Sequence, residues 1–232
     1  MRKISLLFLF LILGTTTLFA QIPSPDEFLG YPLGTKFTPH QKVVDYFKKV
    51  AASSKNLQLQ TYGKTYEGRE LLLAVISDPT NMDNIEQIRA ANLSLSKADK
   101  SANKPTKQPA IVWLSYNVHG NESNSTETSM RVLYNLANAD SKTKEWLKNT
   151  VVIIDPCLNP DGRERYVSNY NMVSGTVPNP DPSAVEHTEP WPGGRPNHYY
   201  FDLNRDWAWQ TQVESQQRII AYHKWMPQVH VD

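Results

Sequence analysis

The chain is short of several features that would commit it to large classes of function. A single cysteine, Cys157, in 232 residues excludes an intrachain disulfide. The fold must therefore rest on its core, which a chain of this length can build. Cys157 itself reads as a small core residue at the end of a strand. Neither sign of charge is in excess: 24 Lys and Arg against 23 Asp and Glu leave a net charge of +1. With no block of like charge either, nothing points to nucleic acid or an anionic membrane surface as a partner. Internal repeats are absent, and past residue 20 no apolar run is long enough to cross a bilayer.

What is present begins with an export signal. Arg2 and Lys3 precede an almost unbroken apolar run from Ile4 to Leu13, then Gly14, a run of Thr, and Ala20 before polar Gln21. This pattern predicts a signal peptide over residues 1–20 and a mature protein that is secreted or periplasmic. Leu18, at the third position before the cut, departs from the small-residue rule and leaves a retained anchor as the alternative.

Residues 21–38, punctuated by Pro and Gly, predict an extended N-terminal arm, and 39–232 one domain. Thr38-Pro39-His40-Gln41 predicts a capping box, and Val43, Tyr46, Phe47 and Val50 an amphipathic helix over 39–53. Residues 57–66 and 71–77 read as strands joined by a turn at Glu67–Glu70. A helix is expected at 81–92 and a solvated Lys/Ser/Ala-rich loop at 94–109. Three short apolar runs, 110–116, 150–155 and 229–232, predict further strands. Helices at 124–138 and 212–226 separate them, with capping signatures from Asn124 to Glu127 and from Thr211 to Glu214. The expected class is α/β, with a mixed, largely parallel central sheet and helices on both faces. From Gly162 to Phe201 the periodicity fails, while Tyr166, Tyr170, Trp191, Tyr199 and Tyr200 predict an ordered, functional loop.

Ligands of open α/β sheets bind beyond the carboxyl ends of the strands. There the chain sets His119-Gly120-Asn121-Glu122, then Asn159-Pro160-Asp161-Gly162, then Asp202-Leu203-Asn204-Arg205-Asp206-Trp207. A His and a Glu three apart can share one cation when the backbone turns between them, as Gly120 and Asn121 allow. Imidazole and carboxylate are ligands that suit Zn2+.

Together with Tyr62–Arg69, these segments resemble the zinc carboxypeptidase family, whose best-known member is carboxypeptidase A. The likeness runs from about residue 40 to the end. It implies a metallocarboxypeptidase domain acting on peptides with a free C-terminal carboxylate, with His119 and Glu122 as zinc ligands. Asp202 then orients His119 through its other ring nitrogen, and Asn204 and Arg205 bind the substrate carboxylate. The arginine that polarises the scissile carbonyl is assigned to Arg195, with Arg163 and Arg165 as alternatives. Asn121 stands where carboxypeptidase A has an Arg. The register of the resemblance puts the third ligand, the general base and a substrate Tyr after Asp232, so the 232-residue chain is expected to be inactive alone. His230 lies about 6–7 Å too early along its strand to replace the third ligand and reads as a buried strand histidine. An amidase or deacylase on the same scaffold, or a non-catalytic module that binds carboxylate-ended peptides, are the alternative functions.

Overall fold

The computed structural model describes residues 21–96 and 108–232. The expected signal peptide and most of the Lys/Ser/Ala-rich loop lie outside those residues. The arm is not wholly extended. Ser24 and Glu27 form a reciprocal capping box that starts a short helix, α1 (Pro25–Leu29), and Leu29 is buried. Helix α2 (His40–Ala52) buries Val43, Val44, Tyr46, Phe47 and Val50 on one face. Strands β1 (Leu57–Lys64) and β2 (Glu70–Ile76) follow as the expected hairpin. The expected helix at 81–92 is two, α3 (Pro79–Asp83) and α4 (Ile85–Ser96), broken at Asn84. Next come β3 (Ala110–Ser115), α5 (Asn124–Ala137), α6 (Ser141–Leu147) and β4 (Thr150–Asp155). Helices α7 (Pro160–Val173) and α8 (Val213–Trp225) lead to β5 (Val229–Val231).

The sheet order is β1-β2-β4-β3-β5. The β3–β4 and β3–β5 pairs are parallel, whereas β1–β2 and β2–β4 are antiparallel. The sheet is therefore mixed, with the parallel part around β3. The uninterrupted apolar runs of β2 and β4 are explained by burial on both faces. Leu72, Ala74, Ile76, Val152 and Ile154 pack with α2 and α5. Leu73, Val75, Val151 and Ile153 face the other way, toward Trp225 and Ala221 of α8 and Ile85 of α4. Each such Leu, Ile or Val contributes about 1.5–3 kcal/mol by leaving water. Cys157 is buried in this frame, and burial pushes its thiol up to about 12.

The three expected capping signatures are not caps. Pro39, Ser123 and Gln212 occupy the N-cap positions, and none makes a side-chain cap bond. Their polar side chains make tertiary contacts instead. Thr38 donates from N and Oγ1 to the carboxylate of Glu127, at 2.6 and 2.8 Å. Buried Glu214 accepts from Asn197 Nδ2 across 17 residues. Long-range partners displace local ones here because the groups are buried and must be paired.

Helix α7 lies where no periodicity was seen. Its buried face consists of Pro160, Asp161, Gly162, Arg163 and Val167, so a hydrophobic pattern could not reveal it. The readable signal was Asn159-Pro160: Asn159 Oδ1 accepts from Gly162 N at 3.0 Å as the cap, and Pro opens the first turn.

Candidate metal and substrate site

Strands β3 and β4 leave the sheet side by side. Tyr116 N donates to Asp155 O, Leu158 N to Tyr116 O and Asn159 N to Asn117 O, so the pairing continues past the strand ends. Asn117 then takes a left-handed conformation with φ 60°, which Asn tolerates better than most residues. Its buried amide donates to His119 O at 2.6 Å and to Gly120 O at 3.3 Å, and accepts from Thr126 Oγ1 at 2.7 Å. This side chain shapes the loop between β3 and α5.

The loop turns His119 and Glu122 together. His119 Nδ1 lies 3.0 Å from Glu122 Oε1, and its Nε2 lies 3.1 Å from Asp202 Oδ1. The neutral tautomer that donates Nε2–H to Asp202 leaves a lone pair on Nδ1 facing Glu122. Two acceptors that close need a cation between them, either a proton or a metal ion. Tetrahedral zinc with bonds near 2.1 Å would separate its ligand atoms by about 3.4 Å, so the pair fits after a few tenths of an ångström of movement. His119 is buried, whereas Glu122 is exposed.

Asp202 joins this pair to the long loop. Its Oδ2 accepts from Arg195 Nε at 3.2 Å and Nη2 at 2.9 Å, and its Oδ1 also accepts from Asn204 N at 2.9 Å. Burial works against its charge, but the bonds from Arg195 and the Asn204 amide outweigh that and hold the carboxyl below its ordinary value. The same residue caps the 3-10 turn Leu203–Arg205. Arg205 is exposed, and its guanidinium has only a 3.4 Å contact with Asn204 O. Among the described residues no carboxylate pairs with it. Asp206 is already engaged by Thr211 N, Thr211 Oγ1 and Gln212 N.

The alternatives to Arg195 have other employment. Arg163 is fully buried, donating to Glu127 Oε1 at 2.8 Å and Thr38 O at 2.7 Å. Arg165 donates to the carbonyls of Gly193, Pro196 and Asn197 and so holds the loop from beneath. His230 is part-buried, with Nε2 2.9 Å from Ser115 Oγ and its ring against Trp207 and Tyr222. Among the described residues one trio of ligand-type side chains lies within 4.8 Å, Glu67, Asp161 and His198. The Arg69 guanidinium already bridges Glu67 and Asp161 there, so that trio has its cation. Neither His230 nor any other described residue makes a trio with His119 and Glu122.

Three residues of this region escaped the sequence reading, Asn117, Glu189 and Asn197. Glu189 accepts from Asn121 Nδ2 at 3.0 Å and from Gly194 N. Asn197, fully buried, accepts from Tyr199 N and Phe201 N and donates to Gln212 and Glu214. Asn197 thereby shapes the turn that delivers Asp202. Single polar residues outside any motif carry no signal until the fold gives them partners.

The zinc carboxypeptidase family profile matches residues 43–223. Among solved structures, a metallo-carboxypeptidase from Burkholderia cenocepacia is 17% identical with a TM-score of 0.50, over 81% of this chain and 38% of its own. Carboxypeptidase A from Helicoverpa armigera is 17% identical with a TM-score of 0.47, over 82% of this chain and 43% of its own. A Pseudomonas aeruginosa metallo-carboxypeptidase, solved with (2-guanidinoethylmercapto)succinic acid, is 13% identical with a TM-score of 0.43, over 82% and 37%. The chain thus spans less than half the length of each of these three structures. No curated protein matches the chain. The profile covers the hairpin, the His119–Glu122 loop, the start of α7 and the Asp202–Trp207 turn, and the chain belongs to the zinc carboxypeptidase family.

Proposed function

We propose that this protein hydrolyses peptides at the C-terminal residue, with zinc held by His119 and Glu122. The observation that carries the reading is the unbroken line Glu122–His119–Asp202–Arg195, with each contact between 2.9 and 3.2 Å. Zinc, when bound, supplies a Lewis acid and acidifies the water it carries. Asp202 fixes the imidazole tautomer, so that Nδ1 keeps its lone pair for the metal. Arg195, about half exposed and beside this pair, can turn one N–H toward a carbonyl while another stays on Asp202. Asn204 and Arg205 receive the terminal carboxylate. Arg205 suits that task because its fork is unclaimed by any described carboxylate and matches the ligand bidentately. This reading also requires a third ligand and a general base, which no described residue supplies beside His119 and Glu122. Export through residues 1–20 places the substrate outside the cytoplasm.

The test is kcat/KM for matched peptides with free and amidated C-termini. In the full-length enzyme, Arg205→Ala should cost on the order of 2–5 kcal/mol on free acids, a loss of roughly 30- to several-thousand-fold. Arg205→Lys should recover little, because an ammonium cannot reproduce the fork. Amides should be nearly unaffected. Equal losses on both substrates would overturn the carboxylate role and favour an endopeptidase or amidase.

A further inference from the structure

Glu189 is exposed, and among the described residues no Lys or Arg pairs with it. Its carboxylate has two partners. Oε2 accepts from Asn121 Nδ2 at 3.0 Å, and Oε1 accepts from the backbone N–H of Gly194. Asn121 stands between His119 and Glu122, and Gly194 immediately precedes Arg195. An ionised acceptor makes stronger bonds to N–H groups than a neutral one, and this one spans two loops 68 residues apart in sequence.

The same two loops also meet on a second side. Arg195 O accepts from Asn159 Nδ2 at 3.0 Å and lies 3.4 Å from Gly120 N. A Cβ on Gly120 would lie 2.2 Å from Arg163 N and 2.3 Å from Gly194 O, and one on Gly162 would lie 2.4 Å from that same oxygen. The backbones are in direct contact with no room for a methyl group. Arg165 Nε also donates to Gly193 O at 3.3 Å, and a Cβ on Gly194 would lie 2.6 Å from Tyr166 Cβ, so the glycine pair is already packed on one side. The Glu189 carboxylate adds a bond to Gly194 N and links it to Asn121.

On the peptidase reading above, we propose that Glu189 is a positioning residue: it ties the His119–Glu122 loop to the segment carrying Arg195 and so sets the guanidinium relative to the metal ligands. A group that meets developing charge must be held in place beforehand, and a displacement of about 1 Å can cost on the order of a hundredfold in rate. The effect should therefore appear in kcat and spare KM and metal content.

The experiment compares Glu189→Ala and Glu189→Gln in the full-length, zinc-loaded enzyme, alone and combined with Arg195→Ala. Glu189→Ala should lower kcat by roughly 10- to 100-fold, with KM changed less than about threefold and zinc content by elemental analysis unchanged. Glu189→Gln should retain most activity, because Asn121 can turn its amide and keep both bonds. In the Arg195→Ala background, Glu189→Ala should cost little more, as residues acting through one another do not add. A full additional loss in that background, a loss of zinc, or no effect at all would each overturn the proposal. Hydrogen exchange at Gly194 and over residues 119–122 reads the tether without turnover. Faster exchange at both in Glu189→Ala is expected even if the wild type proves to hydrolyse no peptide. Unchanged exchange would remove the tether whatever the activity.

Discussion

Two ion-pair clusters of this molecule use the same chemistry to opposite ends. In the first, Arg163 and Glu127 are buried, and Thr38 gives the carboxylate two further bonds and takes one from the guanidinium. In the second, Arg195, Asp202, His119 and Glu122 form a line of which only His119 is buried, and Glu122 ends it in solvent. The first is nearly closed, with Arg163 Nε its one unpartnered atom. The second keeps free valences, a lone pair on His119, an open carboxylate on Glu122 and the unclaimed fork of Arg205 nearby. A buried charge must spend its bonding capacity on its neighbours. A charge at a rim can hold some back for a ligand. That difference separates a clamp for the N-terminal arm from a site.

Breaking the clamp should have the largest consequence for stability. Glu127→Ala or Arg163→Ala leaves its partner buried without a counter-charge and should cost about 3–5 kcal/mol, visible as a lower urea midpoint. The paired change Glu127→Leu with Arg163→Met should cost less than either single change, since no charge is then stranded.

A third charged group sharpens the contrast, because it is buried without adequate pairing. Asp155 is fully buried at the end of β4, receiving Tyr62 OH at 3.0 Å while its Oδ1 has no partner. Burial pushes its carboxyl up to about 7, against the attraction of Arg218 and the Tyr62 bond, while Asp232 adds to the rise and Cys157 contributes a backbone N–H. An unfolded Asp releases its proton near pH 4, whereas the native one keeps it. The native state therefore binds more protons between pH 4 and 7, and stability falls as pH rises through that window. The full swing is on the order of 4 kcal/mol. His40, whose pKa burial lowers to about 4, acts in the opposite sense. Below pH 6.5 the unfolded chain gains a proton that native His40 refuses, so stability falls as pH drops toward 4. The two slopes offset each other in the wild type. Asp155→Asn should unmask the His40 slope, its stability gaining on the wild type from pH 4 to 7 in urea titrations. A pH-independent difference would show Asp155 to be ionised throughout.

Disturbing the rim should cost ligand binding and leave the fold nearly untouched. Asp202→Asn should weaken zinc binding by about 10–100-fold in the full-length protein, measured by competition with a chromophoric chelator. An unchanged affinity would detach Asp202 from the metal. The smallest effect is expected for Arg205→Ala on the fold itself, within about 0.5 kcal/mol, since this exposed guanidinium has little to lose. A larger loss would mean that Arg205 belongs to the closed kind of cluster after all.

Local patterns made α2, β2, β3 and β4 legible, because each buries an apolar face or run written in adjacent residues, and Met130 and Leu133 mark α5 in the same way. Helix α8, by contrast, buries Glu214, Ser215 and Arg218 beside Ala221 and Trp225 and shows no such face. The His119–Glu122 turn was legible from adjacent residues too: its two ligand-type side chains lie three apart on a loop that Gly120 and Asn121 can bend. Helix α7 was not, since its inner face holds Asp161, Gly162 and Arg163 in place of Leu and Val. The capping signatures misled because Thr38, Glu127 and Glu214 find better partners across the fold than along the chain.

The sequence by itself determined which segments are apolar enough to become strands and helices, and which short motifs carry ligand-type side chains. Only the tertiary structure decided which charges meet. Asp202 reaches His119 across 83 residues, a contact that the family resemblance implied but no local pattern could. Arg163, one of three arginines considered together in the sequence, is drawn into the interior by Glu127 while Arg195 stays at the rim. The physical reason is that a charged side chain has no preferred partner until burial removes water as the alternative, and burial is a property of the assembled layers.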